Sequence, residues 1–452
     1  MTHLAAATAR IWTREATALA GLSACGLALL LTTGLVLRLD NIIDGNLIVL
    51  LLLASGAITV AATKAAAQAP AGLGLTIVLL GALALRLLVL TQDPLFSDDI
   101  YRYVWDGMVQ GAGINPYRFV PADPALASLR DAVIFPNINR ADYATTIYPP
   151  VAQAFFFAVT RLSASVTAMR IALIGCEIVT LVVLIDLLRS LGTPVTLATA
   201  YAWHPLPVWE IANNGHVDAL MTTLVMIGTW LAARHRKIVA GIAMTVGALI
   251  KPYAVAALVA CWRPWDWRLP QVVIAVVVAC YLPYLGAGQG VLGFLIGGYL
   301  HEEGFRSGNG FWLVHAARTL IGDVPGLLTL YVALAAATLG TLALRIVFRS
   351  DDSPQLTTCD VATLLLAGLF FLSPNYPWYF LAIVPFITLG GGAPAWTLSL
   401  GAFLLYMTYP DYAARFLIWK GVISGAVIIA VLATVIHTRI FDRLQGAFQW
   451  TR

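Results

Sequence analysis

The chain is organised around one stretch, Ser97-Asp98-Asp99-Ile100-Tyr101-Arg102-Tyr103-Val104-Trp105-Asp106-Gly107. It follows an apolar run that ends near Leu90, and it opens the longest part of the chain without a spanning run, residues 92–148. Ser97 is a suitable helix N-cap, and acidic residues in a first turn complement the helix dipole. On helical spacing Asp99, Tyr103 and Asp106 share one face. The stretch predicts a helix lying on a membrane surface, with its carboxylates turned towards water or a ligand.

Composition defines the class of protein. Of the 452 residues 60% are hydrophobic and 11% are charged, and the mean hydropathy is +0.83. Repeated apolar runs are long enough to span or nearly span a bilayer, which predicts an all-α polytopic membrane protein and excludes an ordinary soluble enzyme. The net charge of +4 gives no reason to expect nucleic acid as a partner. The positions of Lys and Arg matter more than their sum in such a protein.

The cysteines predict no special chemistry. The chain has five, without CxxC or Cys/His spacing, and most lie in apolar runs. Small buried side chains account for them, so neither a metal site nor a disulfide is expected. No cofactor is expected either.

Basic residues set the predicted topology. Arg10 and Arg14 precede the first run, about 17–37, so the N-terminus is expected in the cytoplasm. No signal peptidase site follows that run, which we expect to be retained. Two further runs, about 46–63 and 72–91, then bring residues 92–148 to the other side of the membrane. Prolines in this segment favour an irregular loop with short helices.

The rest of the chain alternates in the same way. Residues 151–165 suit a membrane helix or a short re-entrant or surface helix, and later apolar runs lie at about 167–188, 193–209, 219–233, 238–262, 269–286, 326–345, 358–372, 378–391, 394–410 and 416–436. We predict roughly 12 to 14 transmembrane helices in one domain, 1–452, with both termini in the cytoplasm. Residues 287–311 form a second extracytoplasmic loop, and Asp411 to Arg415 are expected on that same side.

Residues 238–262 have two interpretations. Basic clusters flank them, Arg234 to Lys237 on one side and Arg263 to Arg268 on the other. Two half-spans that turn at Lys251 would keep both clusters in the cytoplasm. A single helix kinked at Pro252 would send the second cluster outside.

Polar residues interrupt the apolar pattern on one predicted face. The interruptions are Asp98-Asp99, Asn213-Asn214-Gly215-His216, His301-Glu302-Glu303-Gly304-Phe305-Arg306 and Pro374-Asn375-Tyr376-Pro377-Trp378-Tyr379. Polar residues placed only for solubility would occur on both faces. The asymmetry indicates a functional site in the extracytoplasmic loops.

These segments carry the residue types of a sugar and phosphate site. Aromatic rings stack on sugar faces, while amides and carboxylates hydrogen-bond hydroxyl groups; the candidates are Tyr103, Asp106, Tyr148, Asn214, Asp218, Tyr376 and Trp378. Cations near the lipid boundary suit a lipid phosphate, and the candidates are Lys251, Arg306, Arg102 and His216. A nearby carboxylate, Asp98 or Asp99, can act as general base on an acceptor hydroxyl.

Each candidate also has a structural interpretation. Acidic residues in a first turn complement the dipole, and Tyr or Trp at a membrane edge commonly anchors a helix. Lys251 can extend along apolar surface to reach water. His216 can cap a turn. The conjunction of these residues on one face favours the functional interpretation.

The order of these blocks resembles the polytopic GT-C glycosyltransferases that use polyprenyl-phosphate sugar donors. It is most similar to the mannosyltransferases that add the first mannose of the GPI anchor and to bacterial polyprenyl-phosphomannose-dependent alpha-mannosyltransferases. The resemblance covers about 97–380 and rests on Asp99-Ile100-Tyr101-Arg102-Tyr103-Val104-Trp105-Asp106-Gly107, Gly113-Ile114-Asn115-Pro116-Tyr117, Ile147-Tyr148-Pro149-Pro150, His204-Pro205-Leu206-Pro207, Asn214-Gly215-His216-Val217-Asp218, Ile250-Lys251-Pro252-Tyr253, Gly304-Phe305-Arg306-Ser307 and Pro377-Trp378-Tyr379.

The resemblance implies a role for the first loop. Asp99 falls where the family places its catalytic acidic residue, although adjacent Asp98-Asp99 departs from the family's Asp-x-Asp or Asp-Glu and leaves both as candidates. It implies an inverting transfer of a hexose, most simply mannose, from a polyprenyl-phosphate donor to a glycan or glycolipid acceptor. Local cations could stabilise the leaving phosphate, so we expect no metal, although the adjacent carboxylates of Asp98 and Asp99 could also bind one. The expected location is a bacterial cytoplasmic membrane, with the active site facing the periplasm and a cell envelope glycan as product.

Two other functions remain open at this point. A transporter or flippase of a lipid-linked sugar or small solute would also use many spans and intramembrane ionisable residues, here Glu177 and Asp186. A polymerase acting on diphosphate-linked oligosaccharides would share the topology but favour more cations at its site. The residues define no oligomeric state.

Overall fold

The computed structural model of this chain describes residues 2–41, 43–408 and 414–449, with side chains described for 13–41, 43–288, 290–408 and 414–438. The described residues form helices and no strand, which confirms the predicted all-α membrane fold. Asp411 to Ala413 lie outside the described residues. The same holds for the side chain of Arg10, so the predictions on these positions stay predictions.

The α-helices are α1 (Thr2–Val36), α2 (Gly45–Ala66), α3 (Ala71–Leu90), α4 (Asp99–Gly111), α5 (Pro150–Leu162), α6 (Val166–Ser190), α7 (Thr199–Ala202), α8 (Asp218–Ala232), α9 (Lys237–Ala248), α10 (Arg268–Tyr281), α11 (Leu300–Glu302), α12 (Trp312–Ile321), α13 (Leu327–Val347), α14 (Pro354–Leu372), α15 (Gly392–Gly401) and α16 (Arg415–Gln449). Segments of 3₁₀-helix lie at Pro124–Leu129, Phe135–Asn137, Val195–Ala198, Pro252–Cys261, Leu282–Leu292, Pro377–Thr388 and Ala402–Tyr406. Two π-helical segments lie at Pro207–Asn213 and Leu295–Tyr299.

Eight of the described helices are long and apolar enough to cross a membrane: Thr13–Val36, Gly45–Ala66, Ala71–Leu90, Val166–Ser190, Arg268–Gly288, Leu327–Val347, Pro354–Leu372 and Arg415–Thr438. Five shorter apolar helices accompany them, at Pro150–Leu162, Asp218–Ala232, Lys237–Ala248, Pro252–Cys261 and Pro377–Thr388. The predicted 12 to 14 spans are reached only when these shorter helices are counted as well. The described part of the chain therefore combines eight full-length apolar helices with five shorter ones.

Two of the predicted runs are not single spans. The run at 193–209 divides into a 3₁₀ turn, the short α7 and a π-helical segment. Pro194 and Pro207 lie at the starts of two of these pieces, and a proline contributes no backbone N–H to a continuing helix. The run at 394–410 likewise changes from α15 to a 3₁₀-helix that ends at Tyr406.

Residues 238–262 form a hairpin. Helix α9 ends at Ala248, Lys251 has an extended backbone (φ −136°, ψ 114°), and the next helix runs from Pro252 to Cys261. The basic residues at the two far ends meet, because Lys237 and Arg263 both donate to Asp352. The alternative of one helix kinked at Pro252 is wrong, since it would separate these residues by the length of the helix.

Helix α4 packs into the bundle instead of lying exposed on a surface. A Cβ on Gly107 would lie 2.5 Å from the Phe156 carbonyl oxygen, so α4 and α5 approach each other closely at this glycine. Only 5% of Arg102 and 1% of Asp106 are exposed. The Arg102 guanidinium donates to the Asp106 carboxylate at 2.8 Å. The expectation that this face points its carboxylates towards water is wrong at Asp106, because the ion pair allows both groups to be buried.

The shared contact of the two basic clusters with Asp352 predicts that they lie on the same side of the membrane. Single cysteines at Arg236 and Asp266 should show the same accessibility to a membrane-impermeant thiol reagent added to intact cells, and the positive-inside rule predicts that both remain unlabelled. Labelling at one position only would contradict the hairpin. Labelling at both would keep the hairpin and invert the predicted topology.

Candidate functional site

The start of the first loop is attached to the segment before α8. The Asn214 side-chain oxygen accepts hydrogen bonds from the backbone N–H groups of Leu95 (3.1 Å) and Phe96 (3.0 Å). The Asn213 oxygen accepts from Leu95 at 2.9 Å, and its amide donates to the Asp93 carbonyl at 3.0 Å. Both amide side chains are buried. They bring the Asp98-Asp99 pair next to residues 213–218, more than a hundred positions further along the chain.

The two acidic residues differ in their surroundings. The Asn139 amide donates to both, at 2.7 Å to Asp98 and 2.9 Å to Asp99. Asp98 is exposed and occupies the N-cap position of α4, while Ser97 Oγ accepts from the backbone N–H of Asp99 at 3.3 Å. The Asp99 side chain is only 17% exposed and its Oδ2 lies 4.0 Å from His216 Nδ1. Asp99 therefore faces the interior of the site, and Asp98 faces outward.

Neighbouring groups act on Asp98 as well. Partial removal of water raises the pKa of the Asp98 carboxyl, the Asn139 hydrogen bond opposes that rise, and the nearby Asp99 charge adds to it. Two carboxylates so close together repel each other. Asn139 offsets part of that repulsion by donating to both.

Lys251 is the cation of the site. Its side chain is only 10% exposed, and its Nζ lies 3.4 Å from Asp218 Oδ2. The other Asp218 oxygen accepts from the Tyr253 hydroxyl at 3.1 Å. The ammonium lies over the rings of Tyr379 and Tyr148, 5.0 and 5.6 Å from their centroids. This arrangement holds a positive charge at the bend between two short helices, within electrostatic reach of Asp99.

His216 lies beneath a stack of aromatic rings. Its ring is 4.1 Å from that of Trp378 at 17°, and Trp378 is 4.5 Å from Tyr376 at 4°. His216 Nε2 is 3.4 Å from Glu210 Oε2. Burial lowers the pKa of His216 to about 3, so the ring is uncharged at neutral pH. The role of His216 as a donor-phosphate ligand stays a prediction, and an uncharged ring would contribute no positive charge to it.

Aromatic rings form one wall of the site. Tyr148 contacts Tyr103 edge to face at 4.9 Å, and Tyr103 stacks on Phe156 at 4.6 Å. The Tyr299 and Tyr379 hydroxyls hydrogen-bond each other at 2.8 Å. Flat rings of this kind suit the apolar faces of a sugar. The structure thus brings together Asp99, His216, Asp218, Lys251, Tyr103, Tyr148, Tyr376 and Trp378 from the predicted set.

Four predicted residues have other partners. Arg102 donates to Asp106 and, at 3.2 Å, to the Ala144 carbonyl. Asp106 also accepts from Gln153 at 2.8 Å. Arg306 is exposed and donates to the Ile296 carbonyl at 3.2 Å. Asn214 uses its amide on Glu210 and its oxygen on the first loop. Their predicted ligand roles stay predictions.

Sequence reasoning missed three contributors. Arg140 forms an ion pair with Glu302 at 2.7 Å and lies within electrostatic reach of Asp99 and Tyr376. Asn139 and Arg140 lie in irregular backbone, with Arg140 at φ 55°, so no periodicity marks them. Glu210 lies in the buried π-helical segment Pro207–Asn213. The Asn213-Asn214 pair next to it was the available signal, because buried amides need partners.

Glu177 and Asp186, the intramembrane carboxylates that supported the transporter alternative, both form ion pairs. Glu177 accepts from Arg86 at both oxygens, once at 3.2 Å. Asp186 accepts from the Trp230 indole at 2.7 Å and from Arg234. Structural pairing therefore accounts for both. Among the described side chains, no three His, Cys, Asp or Glu residues are placed to hold a metal ion.

Comparison with known proteins finds one family to which part of the chain is similar. Residues 46–265 match the family model of the alpha-(1->6)-mannopyranosyltransferase N-terminal domain (MptA_B family). The match includes Asp99, His216, Asp218 and Lys251, while Tyr376 and Trp378 lie beyond it. No curated protein and no solved structure matches the chain.

Proposed function

We propose, from the mannosyltransferase-family domain at residues 46–265, that this membrane protein transfers mannose from a polyprenyl phosphate to a glycan or glycolipid acceptor. The match confirms the predicted resemblance to mannosyltransferases. The identity of the donor, the mechanism and the side of the membrane go beyond that match, and we propose them from the site. The observation that carries it is that one half-buried carboxylate, Asp99, lies within electrostatic reach of one buried cation, Lys251, which contacts aromatic rings.

A lipid phosphate is supported by what adjoins Lys251. Tyr253 bonds Asp218 with its hydroxyl, and its ring lines an apolar cavity of about 380 Å³. The cavity continues between α13 and α14, and its other lining residues include Phe311, Tyr331, Ala336, Leu365 and Phe371. An isoprenoid chain lying there would reach Tyr253, two residues from Lys251. A nucleotide-linked sugar would have no use for such an apolar surface.

The chemistry follows from charge. Asp99 accepts the proton of an acceptor hydroxyl as its oxygen attacks the anomeric carbon, and the bond to the phosphate oxygen breaks with its electron pair. Lys251 stabilises the charge that develops on the leaving phosphate, in a site with little water. A double displacement would need a second free carboxylate. Asp218 lies beside Lys251 and accepts from Tyr253, and Asp98 faces outward, so Asp99 is the carboxylate that we assign to a single, inverting displacement.

The proposed side of reaction is extracytoplasmic. The first loop, residues 300–311 and residues 373–377 contact one another around the site, for example through Arg140 with Glu302 and through Asn375 with Glu303. The basic clusters that meet at Asp352 lie at the far ends of the hairpin helices from Lys251. If those clusters are cytoplasmic, the site faces the exterior or periplasm.

Asp99→Asn should give a folded protein that binds donor and is nearly inactive. The amide keeps the size of the side chain, and loss of the dipole interaction changes stability by only ~0.3–1 kcal/mol. Removal of a general base lowers the rate by ~10²- to 10⁴-fold. Mannose transfer by the purified variant measures this effect.

Asp98→Asn is the matched control, because it shares the Asn139 hydrogen bond but faces outward. It should retain most activity. A dead Asp98→Asn protein beside an active Asp99→Asn protein would move the base to Asp98. Full activity of both would show that this loop is not catalytic.

Lys251→Met should weaken use of the donor while leaving acceptor binding intact. The thioether keeps the length of the side chain but removes the charge that faces the phosphate. The measurement is the apparent KM for the lipid donor together with kcat, with Lys237→Met as the control at the other end of the hairpin. Equal donor dependence in both variants would return Lys251 to a purely structural role beside Asp218.

A further inference from the structure

His216 presents two buried ring nitrogens for which the described residues provide no hydrogen bond of normal geometry. The residue is fully buried. Buried polar atoms without partners are rare and destabilising, and they are found disproportionately where a function requires them. One nitrogen faces Asp99 and the other faces Glu210. The inference below rests on the proposed role of Asp99 as base.

Glu210 determines which nitrogen of His216 carries the proton. The Asn214 amide donates to Glu210 Oε2 at 2.9 Å, and its orientation is fixed because its oxygen accepts from Leu95 and Phe96. The Tyr406 hydroxyl donates to Oε1, also at 2.9 Å. Oε2 is thus already an acceptor where it faces His216 Nε2 at 3.4 Å. Burial raises the pKa of Glu210 to about 8, and the fixed Asn214 amide keeps Oε2 the acceptor in the protonated form as well, with the acid proton on Oε1. The favourable tautomer of His216 therefore has its proton on Nε2, on the side of Glu210.

This tautomer leaves a lone pair on Nδ1, 4.0 Å from Asp99 Oδ2. A lone pair facing an ionised carboxylate gains nothing, but one facing a protonated carboxyl accepts a hydrogen bond. The other Asp99 oxygen already accepts from Asn139, so Oδ2 is the atom available to the proton. Catalytic hydrogen bonds that are long in an unliganded site commonly shorten once the substrate is bound.

We propose that His216, held as its Nε2–H tautomer by Glu210, is a positioning residue for Asp99: Nδ1 accepts the hydrogen bond of the Asp99 carboxyl after that group has taken the acceptor's proton. The proton passes from the acceptor oxygen to Asp99 Oδ2, and it stays on Asp99 in a hydrogen bond to Nδ1. No charge develops on His216. The exposed part of the Asp99 carboxyl then returns the proton to water, which regenerates the base.

The surroundings hold the ring in place and keep it uncharged. Trp378 stacks on one face, which opposes rotation about the ring axis. Four charged or titratable groups surround His216 and Glu210. They are Asp99 on α4, Asp218 at the start of α8, Lys251 at the hairpin bend, and Tyr406 at the end of its 3₁₀-helix. Lys251 opposes protonation of the ring and Asp99 favours it, with burial the larger effect.

The test is the pH dependence of kcat/KM for mannose transfer. His216→Phe keeps the stack on Trp378 but removes the acceptor, so protonated Asp99 loses a stabilising partner and the acid limb should move to lower pH. A shift of roughly half to one pH unit is expected, with a plateau rate reduced about 3- to 10-fold, from loss of one hydrogen bond.

Two Glu210 variants test the tautomer. In Glu210→Gln the fixed Asn214 amide orients the new oxygen towards His216, so the tautomer and the wild-type acid limb should persist. In Glu210→Leu nothing holds the proton on Nε2, and the limb should shift as it does in His216→Phe. These variants decide the question even if His216→Phe does not fold, because a shifted limb in Glu210→Gln or an unshifted one in Glu210→Leu overturns the proposal.

His204→Phe is the matched control. His204 is also fully buried, stacks on an indole (Trp396, 5.4 Å) and has Ser399 Oγ 3.0 Å from its Nε2, with no carboxylate partner. The acid limb of the pH profile of kcat/KM should therefore be unchanged in His204→Phe. An unmoved limb in His216→Phe, with a uniform loss of rate, would reduce His216 to a packing role while an inactive Asp99→Asn leaves the proposed function intact. Activity of the Asp99→Asn protein would instead show that Asp99 is not the base, and the proposed function would lose its general base.

Discussion

The hydrogen bonds from Leu95 and Phe96 to the amides of Asn213 and Asn214 are the constraint on which the site depends. In a bilayer protein, backbone N–H groups that leave a helix need partners within the protein, because lipid supplies none. The chain leaves α3 at Leu90, and these amides supply the partners. The Arg170 guanidinium adds a second tie, to the carbonyls of Gln92 and Asn213. Satisfying the loop's backbone thus fixes Asp99 beside His216 and Asp218.

The distribution of charge separates structure from function. Two buried or partly buried ion pairs away from the site are closed, Arg86 with Glu177 and Arg349 with Asp360. A closed pair offsets the cost of burial but leaves nothing for a ligand. At the site the contacts are longer and incomplete, at 3.4 Å for Lys251 with Asp218 and 4.0 Å for His216 with Asp99. Groups held near each other without closing are available to a substrate.

The sequence predicted the class of fold, because fold class depends on local patterns of apolar residues. It also predicted Asp99, His216, Asp218 and Lys251 as candidates, which the structure brings close together and whose roles stay predictions. The number of full spans was harder, since several apolar runs break into short 3₁₀ or π segments at prolines such as Pro207 and Pro385. A hydropathy pattern does not distinguish a buried short helix from a spanning one.

Residues whose roles depend on distant partners were beyond such reasoning. Arg102 and Lys251 are both cations beside apolar runs, yet Arg102 is closed off by Asp106 and the Ala144 carbonyl. Glu210 gains its importance from Tyr406, almost two hundred positions away. Asn139 and Arg140 lie in irregular backbone whose position follows from tertiary contacts alone. Only the folded chain identifies these partners.

The central claim is that a sugar leaves a lipid phosphate at Lys251 and joins an acceptor hydroxyl at Asp99. The most direct test uses purified protein in liposomes with polyprenyl phosphate carrying radiolabelled mannose and a short mannoside as acceptor. We expect label in a new glycosidic product and release of an equal amount of polyprenyl phosphate, with no transfer from a nucleotide-linked mannose. Labelled mannose that crosses the bilayer still attached to its lipid, without release of polyprenyl phosphate, would contradict this account.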